Sequence, residues 1–318
     1  MQEINKADWI RNEFQSAFEI EISVLSNDPA NTLKLHNARS YYLMPFGARS
    51  LLRGIFKGEF FRTWNQIKKA DLVIFGGGGL FTDELKANLL WSWQALFCYW
   101  LDKKVWHYGQ SVGPLKKKRS QNIVKKVMDK AWKISVRDQE SKEILMNIGV
   151  NKEVEVRDDP ALNLRNRKEI EGIKEKVNLF LKNYDLEPNE FIGVSLRKWS
   201  NLTDEKKKKV ALFLDEQIEK ENLKVLMVPF ARIPENDTEI LKEVKSLMRN
   251  QEQVIIKDYT DNFWEILYLW KKSGFILGMR LHSIIFAEIV GKPFYAISYS
   301  DKVLNFLKSI DKIDKLFF

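Results

Sequence analysis

Short runs of apolar and β-branched residues alternate along this chain with longer stretches in which apolar residues recur at helical spacing. Such alternation is typical of parallel β-strands that are connected by helices. In the first half of the chain, glycine or polar residues follow nearly every predicted strand, at the sheet edge where α/β proteins bind ligands. The predicted strands there are Glu19–Leu25, Leu72–Phe75, Lys104–Tyr108, Lys133–Val136 and Val154–Val156.

The same alternation resumes after a charged stretch, residues 162–190, that is poor in β-branched clusters. We therefore predict an N-terminal Rossmann-like domain over residues 1–165, a linker with a helix over 166–190, and a C-terminal Rossmann-like domain over 191–318. Two such domains with a cleft between them form the α/β architecture called GT-B. The predicted strands of the second domain are Phe191–Ser195, Lys224–Val228, Val254–Ile256, Gly274–Leu277 and Pro293–Ile297. The predicted helices between them are Asp204–Glu221, Asp237–Arg249, Asn262–Lys272 and Leu281–Val290.

Composition favours a globular protein of the cytoplasm. Of the 318 residues, 45% are hydrophobic and 30% are charged, which suits a chain that folds around a core. Cys98 is the only cysteine, so no disulfide forms within the chain and a reducing compartment is expected. The N-terminus lacks the apolar core of a signal peptide, and the most apolar stretch, Leu89–Leu101, is too short to cross a bilayer.

The net charge of +9 raises the question of anionic partners. Basic runs at Lys116–Arg119 and Lys206–Lys209 lie in segments predicted to be helical, where solvated lysines on exposed faces are the simplest interpretation. Attraction to an anionic substrate, or to an anionic membrane surface that the protein contacts peripherally, is the alternative. Nucleic-acid recognition is not expected, because no reader motif accompanies the charge.

Two glycine-containing loops in the first half are candidate ligand contacts. Gly76–Gly79 follows an apolar strand directly, where Gly77 and Gly78 would let a ligand approach the backbone and a following helix start would favour an anion. A tight turn without a ligand is the alternative. The pattern is not the glycine fingerprint of nicotinamide cofactors, which we do not expect. In the loop after the next strand, Tyr108–Pro114, Gln110 is either a substrate ligand or part of a structural turn.

Arginine follows a predicted strand in each domain, at Arg137 and at Arg197. A guanidinium group at the carboxyl end of a strand can bind a carboxylate or a phosphate. Two such groups on opposite walls of a cleft would hold a small dianion between them. Alternatively, Asp138 caps the next helix and pairs with Arg137 on the surface.

His282 is the strongest catalytic candidate from the residues alone. It is predicted in the first turn of a helix that follows a buried strand, between Arg280 and Ser283. Histidine is the side chain best suited to proton transfer near neutral pH, although a single histidine is more often structural. Three histidines and one cysteine at these spacings form no metal site, so neither a metal nor a bound cofactor is expected.

Taken together, these segments resemble the polysaccharide pyruvyl transferase family. The resemblance implies a GT-B-like fold, phosphoenolpyruvate as donor and a ketal-linked pyruvate as product. It implies functional roles for His282, Arg137 and Lys302. The motifs that carry it extend over nearly the whole chain: GGGGLFTD at 76–83, YGQSVGPL at 108–115, SVRDQES at 135–141, Asp159-Pro160-Ala161, GVSLR at 193–197 and GMRLHSIIFAEIVGKP at 278–293.

The residue types suit this chemistry. Phosphoenolpyruvate carries a carboxylate and a phosphate, for which arginine and lysine side chains are suitable partners, and His282 is the candidate acid and base. The cationic candidates are Arg137, Arg197, Arg280 and Lys302; the further substrate-binding candidates are Gly77, Gly78, Gln110 and Ser283.

Two other functions remain open at this stage. A GT-B glycosyltransferase that uses a nucleotide sugar would need an acidic ribose-binding residue, which is not evident at a familiar spacing in the second domain. A non-catalytic homologue is favoured by the N-terminus, because family members usually begin with a strand and a glycine–asparagine–glycine–aspartate loop ahead of the position that matches Met1. We therefore expect the first sheet to lack that strand. The acceptor is expected to be a sugar of a surface polysaccharide or of its lipid-linked precursor.

Overall fold

The computed structural model describes residues 20–83, 87–166, 171–232 and 236–318. The chain divides into two compact units, Met1–Pro160 and Ala161–Phe318, which we call the first and the second domain. The strands are β1 (Ser23–Ser26), β2 (Arg39–Tyr42), β3 (Leu72–Phe75), β4 (Gly78–Phe81), β5 (Lys104–Val112), β6 (Lys133–Val136), β7 (Glu155–Val156), β8 (Phe191–Ser195), β9 (Lys224–Met227), β10 (Val254–Ile256), β11 (Phe275–Gly278) and β12 (Phe294–Ala296).

The helices cover both domains and alternate with the strands through most of the chain. They are α1 (Pro29–His36), α2 (Ala48–Phe56), α3 (Glu59–Lys69), α4 (Ala87–Trp100), α5 (Lys118–Asp129), α6 (Gln139–Asn147), α7 (Glu171–Asn183), α8 (Asp204–Glu221), α9 (Asp237–Leu247), α10 (Phe263–Lys272), α11 (Leu281–Ile289) and α12 (Asp301–Ser309). Among the residues that the structure describes, no helix is both long and apolar enough to traverse a bilayer.

The first domain is built on a parallel sheet in the order β3-β5-β6-β7, with β4 also paired to β5. The central strand β5 is buried almost throughout, since Val105, Trp106 and His107 are each 0% exposed. Burial on both faces is typical of the central strand of a parallel sheet. Strands β1 and β2 form a separate two-stranded parallel sheet.

Strand β5 extends to Val112, four residues beyond the predicted end at Tyr108. Gly109 has a φ of +62°, and the pairing with β6 shifts register between His107 and Gln110. A glycine in this left-handed conformation forms a β-bulge that bends the strand and lets pairing continue. In the sequence Gly109 indicated the end of a strand, whereas in the structure it forms a bulge within a longer strand.

The second domain contains a five-stranded parallel sheet in the order β10-β9-β8-β11-β12. Alternate residues of β8 enter different cores: Phe191 packs with α7, α10 and α11, whereas Ile192 packs with α8 and α9. Helices therefore cover both faces of this sheet, as in a doubly wound fold.

The predicted linker, residues 166–190, belongs to the second domain. Helix α7 buries Val177 and Leu181 in the same core as Phe191, and Leu186 follows them there. The boundary lies between Pro160 and Ala161, before the predicted linker begins. Apolar residues spaced four apart on an otherwise charged helix predict one buried face, and that face packs here against α10.

Candidate functional site

The residues proposed from the sequence divide between the two domains, and each group is described within its own domain. In the first domain they are Gly77, Gly78, Gln110 and Arg137. In the second domain they are Arg197, Arg280, His282, Ser283 and Lys302.

Arg137 follows β6 and is held in a buried polar network. Its side chain is 9% exposed, and its Nη1 lies 2.7 Å from Oδ2 of Asp159. Its Nε donates a 2.6 Å hydrogen bond to Oγ of Ser111, which donates in turn to Oδ2 of Asp138 at 2.7 Å. The guanidinium is therefore neutralised by Asp159 and fixed in orientation by Ser111.

Asp138 caps α6, as one interpretation of the sequence proposed. Its Oδ1 accepts a 2.8 Å hydrogen bond from the backbone amide of Ser141, and the Ser141 hydroxyl accepts one from the amide of Val112. The predicted surface pair of Arg137 with Asp138 is wrong in its geometry. The two side chains connect through the Ser111 hydroxyl, and all three are largely buried.

Asp159 reaches Arg137 because glycines allow its turn to approach the sheet. A Cβ on Gly109 would lie 2.2 Å from Cγ of Pro160, and one on Gly77 would lie 3.1 Å from the carbonyl oxygen of Gly109. Only glycine fits such positions without displacing the Asp159–Pro160 turn. Gly77 and Gly109 thus allow the loops to pack closely, which brings Asp159 into its ion pair with Arg137.

The sequence predicted a helix start after the glycine run, but the structure has a strand there. Gly78 has a φ of +99° and begins β4, which pairs with β5 through Gly78 and Gln110. No helix therefore begins directly after the glycines, and contact of Gly77 and Gly78 with a ligand stays a prediction.

Gln110 is a structural residue in this domain. It is 0% exposed, and its Nε2 donates a 2.9 Å hydrogen bond to the carbonyl oxygen of Phe75 on the neighbouring strand. The side chain is thus enclosed in the sheet, and its assignment as a substrate ligand stays a prediction.

In the second domain, the remaining candidates follow three adjacent strands at their carboxyl ends. The amide of Met279 donates to the carbonyl of Ser195, and the amide of Ile297 donates to the carbonyl of Gly278, at 2.7 and 2.8 Å. The loops after β8, β11 and β12 therefore begin side by side. This shared edge, which we call the cationic edge, carries Arg197, Arg280, His282 and Lys302.

Arg197 stacks on an aromatic ring at this edge. Its guanidinium carbon lies 4.3 Å from the ring centroid of Tyr299, which follows β12. A cation–π contact of this kind helps to hold the guanidinium in one orientation beside the ring.

Arg280 is paired with a buried carboxylate. Its Nε and Nη2 lie 3.0 and 2.5 Å from the two carboxylate oxygens of Asp237, which is 0% exposed. Asp237 also accepts hydrogen bonds from the backbone amides of Phe230 and Ala231. Arg280 therefore joins the loop after β11 to the start of α9, and its contact with a substrate stays a prediction.

His282 lies in the first turn of α11 with its side chain exposed. Its ring centroid is 6.2 Å from that of Phe286, one turn further along the helix. The adjacent Ser283 is 0% exposed, and its hydroxyl donates a 2.6 Å hydrogen bond to the carbonyl oxygen of Arg280. Ser283 is thus buried at the helix start and hydrogen-bonds to the backbone there, while its assignment as a substrate ligand stays a prediction.

Lys302 occupies the equivalent position on the next helix, the first turn of α12. Helices α11 and α12 both begin just after a strand of the sheet, so both point their N-terminal ends to the cationic edge. Free backbone amides and the helix dipole make such ends partially positive. With Arg197 and Lys302, they make this edge suitable for an anion.

Two side chains at this end of the second sheet were not proposed from the sequence. Asp237 was regarded as the start of a helix, and Tyr259 as part of a connection after β10. Burial, followed by a hydrogen bond with Asp261, raises the pKa of Tyr259 to about 12. The sequence gave no signal for Asp237, because its charged partner, Arg280, follows a different strand. Within the described ranges, no three His, Cys, Asp or Glu side chains are grouped so that they could hold a metal ion.

Comparison with protein families gives one match. A family model described as polysaccharide pyruvyl transferase matches residues 10–301. A search of curated protein sequences finds no match to this chain.

Several solved structures share the fold at low identity. A UDP-GlcNAc 2-epimerase from Neisseria meningitidis, solved with bound UDP-GlcNAc, is 13% identical with a TM-score of 0.58, covering 97% of this chain and 86% of that one. The corresponding epimerase from Methanocaldococcus jannaschii is 14% identical with a TM-score of 0.59, covering 95% and 87%. A glycosyltransferase from Rickettsia africae is 15% identical with a TM-score of 0.51, covering 87% and 71%. These likenesses show the fold alone, and it is the GT-B-like α/β fold predicted from the sequence.

Proposed function

This chain belongs to the polysaccharide pyruvyl transferase family, and from that premise we propose that it transfers pyruvate from phosphoenolpyruvate to a sugar. The proposed product is a ketal on a cell-surface polysaccharide or on its lipid-linked precursor. We further propose that the enzyme acts in the cytoplasm, at the inner face of the membrane, where its net charge of +9 would favour contact with anionic lipids.

The cationic edge of the second domain is the observation that supports this donor. Arg197 is stacked on Tyr299, while His282 and Lys302 lie in the first turns of two neighbouring helices. Phosphoenolpyruvate is small and carries two anionic groups, so it needs several cations and amide donors within a short span. This edge offers Arg197, Lys302 and the first-turn amides of α11 and α12.

The reaction balances with protein side chains as its acids and bases. Proton transfer to the methylene carbon of phosphoenolpyruvate turns it into a methyl group and makes C2 electrophilic. One sugar hydroxyl forms a bond to C2, the C2–O bond to phosphate breaks, and a second hydroxyl closes the ketal. The two sugar hydroxyls lose two protons. One compensates for the proton added to the methylene carbon, and the other leaves on inorganic phosphate. His282 is exposed and would move the hydroxyl protons.

Arg197 and Lys302 would bind the donor, and Arg137 would act differently. Positive charge near the phosphate stabilises the charge that develops as it leaves. Arg137 is 9% exposed and already neutralised by Asp159. We therefore propose that Arg137 holds the turn at Asp159 in place, a positioning role, and does not bind phosphate.

Ligand binding measured by calorimetry tests the donor. We expect phosphoenolpyruvate to bind and UDP-sugars and CMP-sugars not to bind. Arg197→Ala should weaken phosphoenolpyruvate binding about tenfold or more, since a charge-assisted contact contributes about 1.5–3 kcal/mol. Lys198→Ala is the matched control, because it removes a neighbouring charge whose side chain is 72% exposed and pairs with Glu239.

The outcomes separate the two candidate enzymes. Equal weakening by both variants would show that general charge, and not Arg197, attracts the donor. Binding of a nucleotide sugar in place of phosphoenolpyruvate would assign the chain to glycosyl transfer on the same fold.

A further inference from the structure

Helix α2 turns its apolar face away from the first domain. Gly54 is the buried residue of this helix, and a Cβ there would lie 3.0 Å from Cγ of Pro45. Leu52 and Phe56 are 58% and 87% exposed. At about 100° per residue, each lies roughly 160° around the helix axis from Gly54. The helix thus contacts the domain with its smallest residue and exposes its largest.

The exposed apolar surface extends beyond these two side chains. Leu51 and Ile55 on the same helix are 36% and 40% exposed, and Phe46 just before it is 48% exposed. A surface helix of a globular protein normally buries such a stripe against the core. A contiguous apolar stripe that is exposed instead marks a site of contact with another protein or with a membrane.

Basic side chains lie beside this stripe, and α2 itself carries no acidic residue. Arg49, Arg53 and Lys57 lie on α2 or directly after it and are exposed. Between Asp28 and Glu59 the chain contains no aspartate or glutamate. Apolar residues on one side and basic residues on the other are the pattern of helices that lie in the interface of an anionic membrane.

We propose that α2 is a membrane-binding surface that inserts its apolar face into the headgroup region of a bilayer containing anionic phospholipids. Arg49, Arg53 and Lys57 then contact lipid phosphates. Pairing of α2 with a second copy of this chain is disfavoured, because it would bring these cations together with no acidic residue on the helix to offset them. The inference deepens the membrane contact proposed above and rests on it, but it does not depend on the pyruvyl transfer.

Co-sedimentation of the full chain with vesicles tests the apolar part of the surface. We expect binding to vesicles of phosphatidylcholine with phosphatidylglycerol, and at least about tenfold weaker binding to phosphatidylcholine alone. The double variant Leu52→Ser, Phe56→Ser should lose about tenfold or more in affinity. Leu212→Ser is the matched control, since Leu212 is 55% exposed on α8 of the second domain.

A second pair of variants tests the charge. Arg49→Gln with Arg53→Gln should weaken binding to the anionic vesicles about thirtyfold, because each cation contributes about 1 kcal/mol. Lys208→Gln with Lys209→Gln removes the same charge from an exposed stretch of α8 and should have little effect. An unchanged unfolding temperature in each variant shows that the protein has remained folded.

Several results would overturn the proposal. These are no binding to anionic vesicles, equal loss in the α2 variants and their controls, or a dimer that dissociates in the Phe56→Ser variant without any vesicle binding. Phosphoenolpyruvate binding measured in parallel should be unchanged by the α2 variants. Failure of the donor site is therefore distinguishable from failure of the membrane surface.

Discussion

Asp237 shows at the scale of single residues how this molecule organises its charged groups. Its carboxylate is 0% exposed and accepts hydrogen bonds from the Arg280 guanidinium and from two backbone amides. A buried carboxylate is tolerated only when its oxygens are satisfied in this way. Because Arg280 lies two residues before His282, the pair also fixes the start of α11, where the catalytic candidate lies.

Gly109 is a position where backbone conformation and packing both require glycine. Its φ is +62°, and a Cβ would lie 2.2 Å from Pro160. We expect Gly109→Ala to lower the free energy of unfolding by about 3 kcal/mol, from a strained backbone and an overpacked contact. Urea denaturation of the variant measures this loss.

Gly58→Ala is the control for that measurement. Its φ is +69°, but nothing lies within 4 Å of a Cβ there, so only the backbone cost of about 1 kcal/mol is expected. Equal destabilisation by the two variants would show that contact with Pro160 contributes nothing.

Because His107 is buried, we expect the free energy of unfolding to depend on pH. It is 0% exposed, its ring lies 5.4 Å from those of Phe75 and Phe81, and burial lowers its pKa from 6.5 to about 3. As the pH falls below 6.5, the unfolded chain binds a proton that the folded chain excludes. The stability is therefore complete above that pH and decreases as the pH falls, by about 2 kcal/mol between pH 7.5 and pH 5.

The difference between wild type and His107→Gln isolates this contribution. Urea unfolding at about pH 7.5 and about pH 5 should show a loss in the wild type that is larger, by about 2 kcal/mol, than the loss in the variant. If both proteins lose the same amount, other groups determine the pH dependence.

At the scale of elements, substitutions in α7 test whether this helix belongs to the core of the second domain. Leu181 is 4% exposed in the core of the second domain, whereas Leu179 on the same helix is 61% exposed. Leu181→Ala should reduce the free energy of unfolding by about 2–5 kcal/mol, and Leu179→Ala should change it little. Differential scanning calorimetry would show the loss as a lower unfolding temperature.

A null result for Leu181→Ala would contradict the assignment of α7 to this core. It would instead favour the linker predicted from the sequence, because a linker helix has no buried leucine to lose.

Element bounds were predicted best where apolar runs end at glycine, proline or charge. The sequence predicted Leu72–Phe75, Lys133–Val136 and Phe191–Ser195 with the bounds that the structure has. It did not predict β2 or α2, because Arg39–Tyr42 is polar in part and Gly54 interrupts the short helix α2. Polar residues weaken the pattern of a strand, and glycine lowers helix propensity.

At the scale of the whole molecule, each domain has its own hydrophobic core and its own parallel sheet. The second domain carries the cationic edge, and the first domain carries α2 with its exposed apolar face. The proposed donor site and the proposed membrane surface therefore lie on different domains. Each can be altered by substitution while the other is measured.

The sequence by itself determined the GT-B-like α/β fold, the family, and the position of Arg197, His282 and Lys302 after strands. These follow from local periodicity and from the rule that loops after parallel strands share one edge. Only the tertiary structure decided that Arg137 pairs with Asp159 and Arg280 with Asp237. The sequence separation within each pair is 22 and 43 residues, so only packing of distant loops brings the charges together.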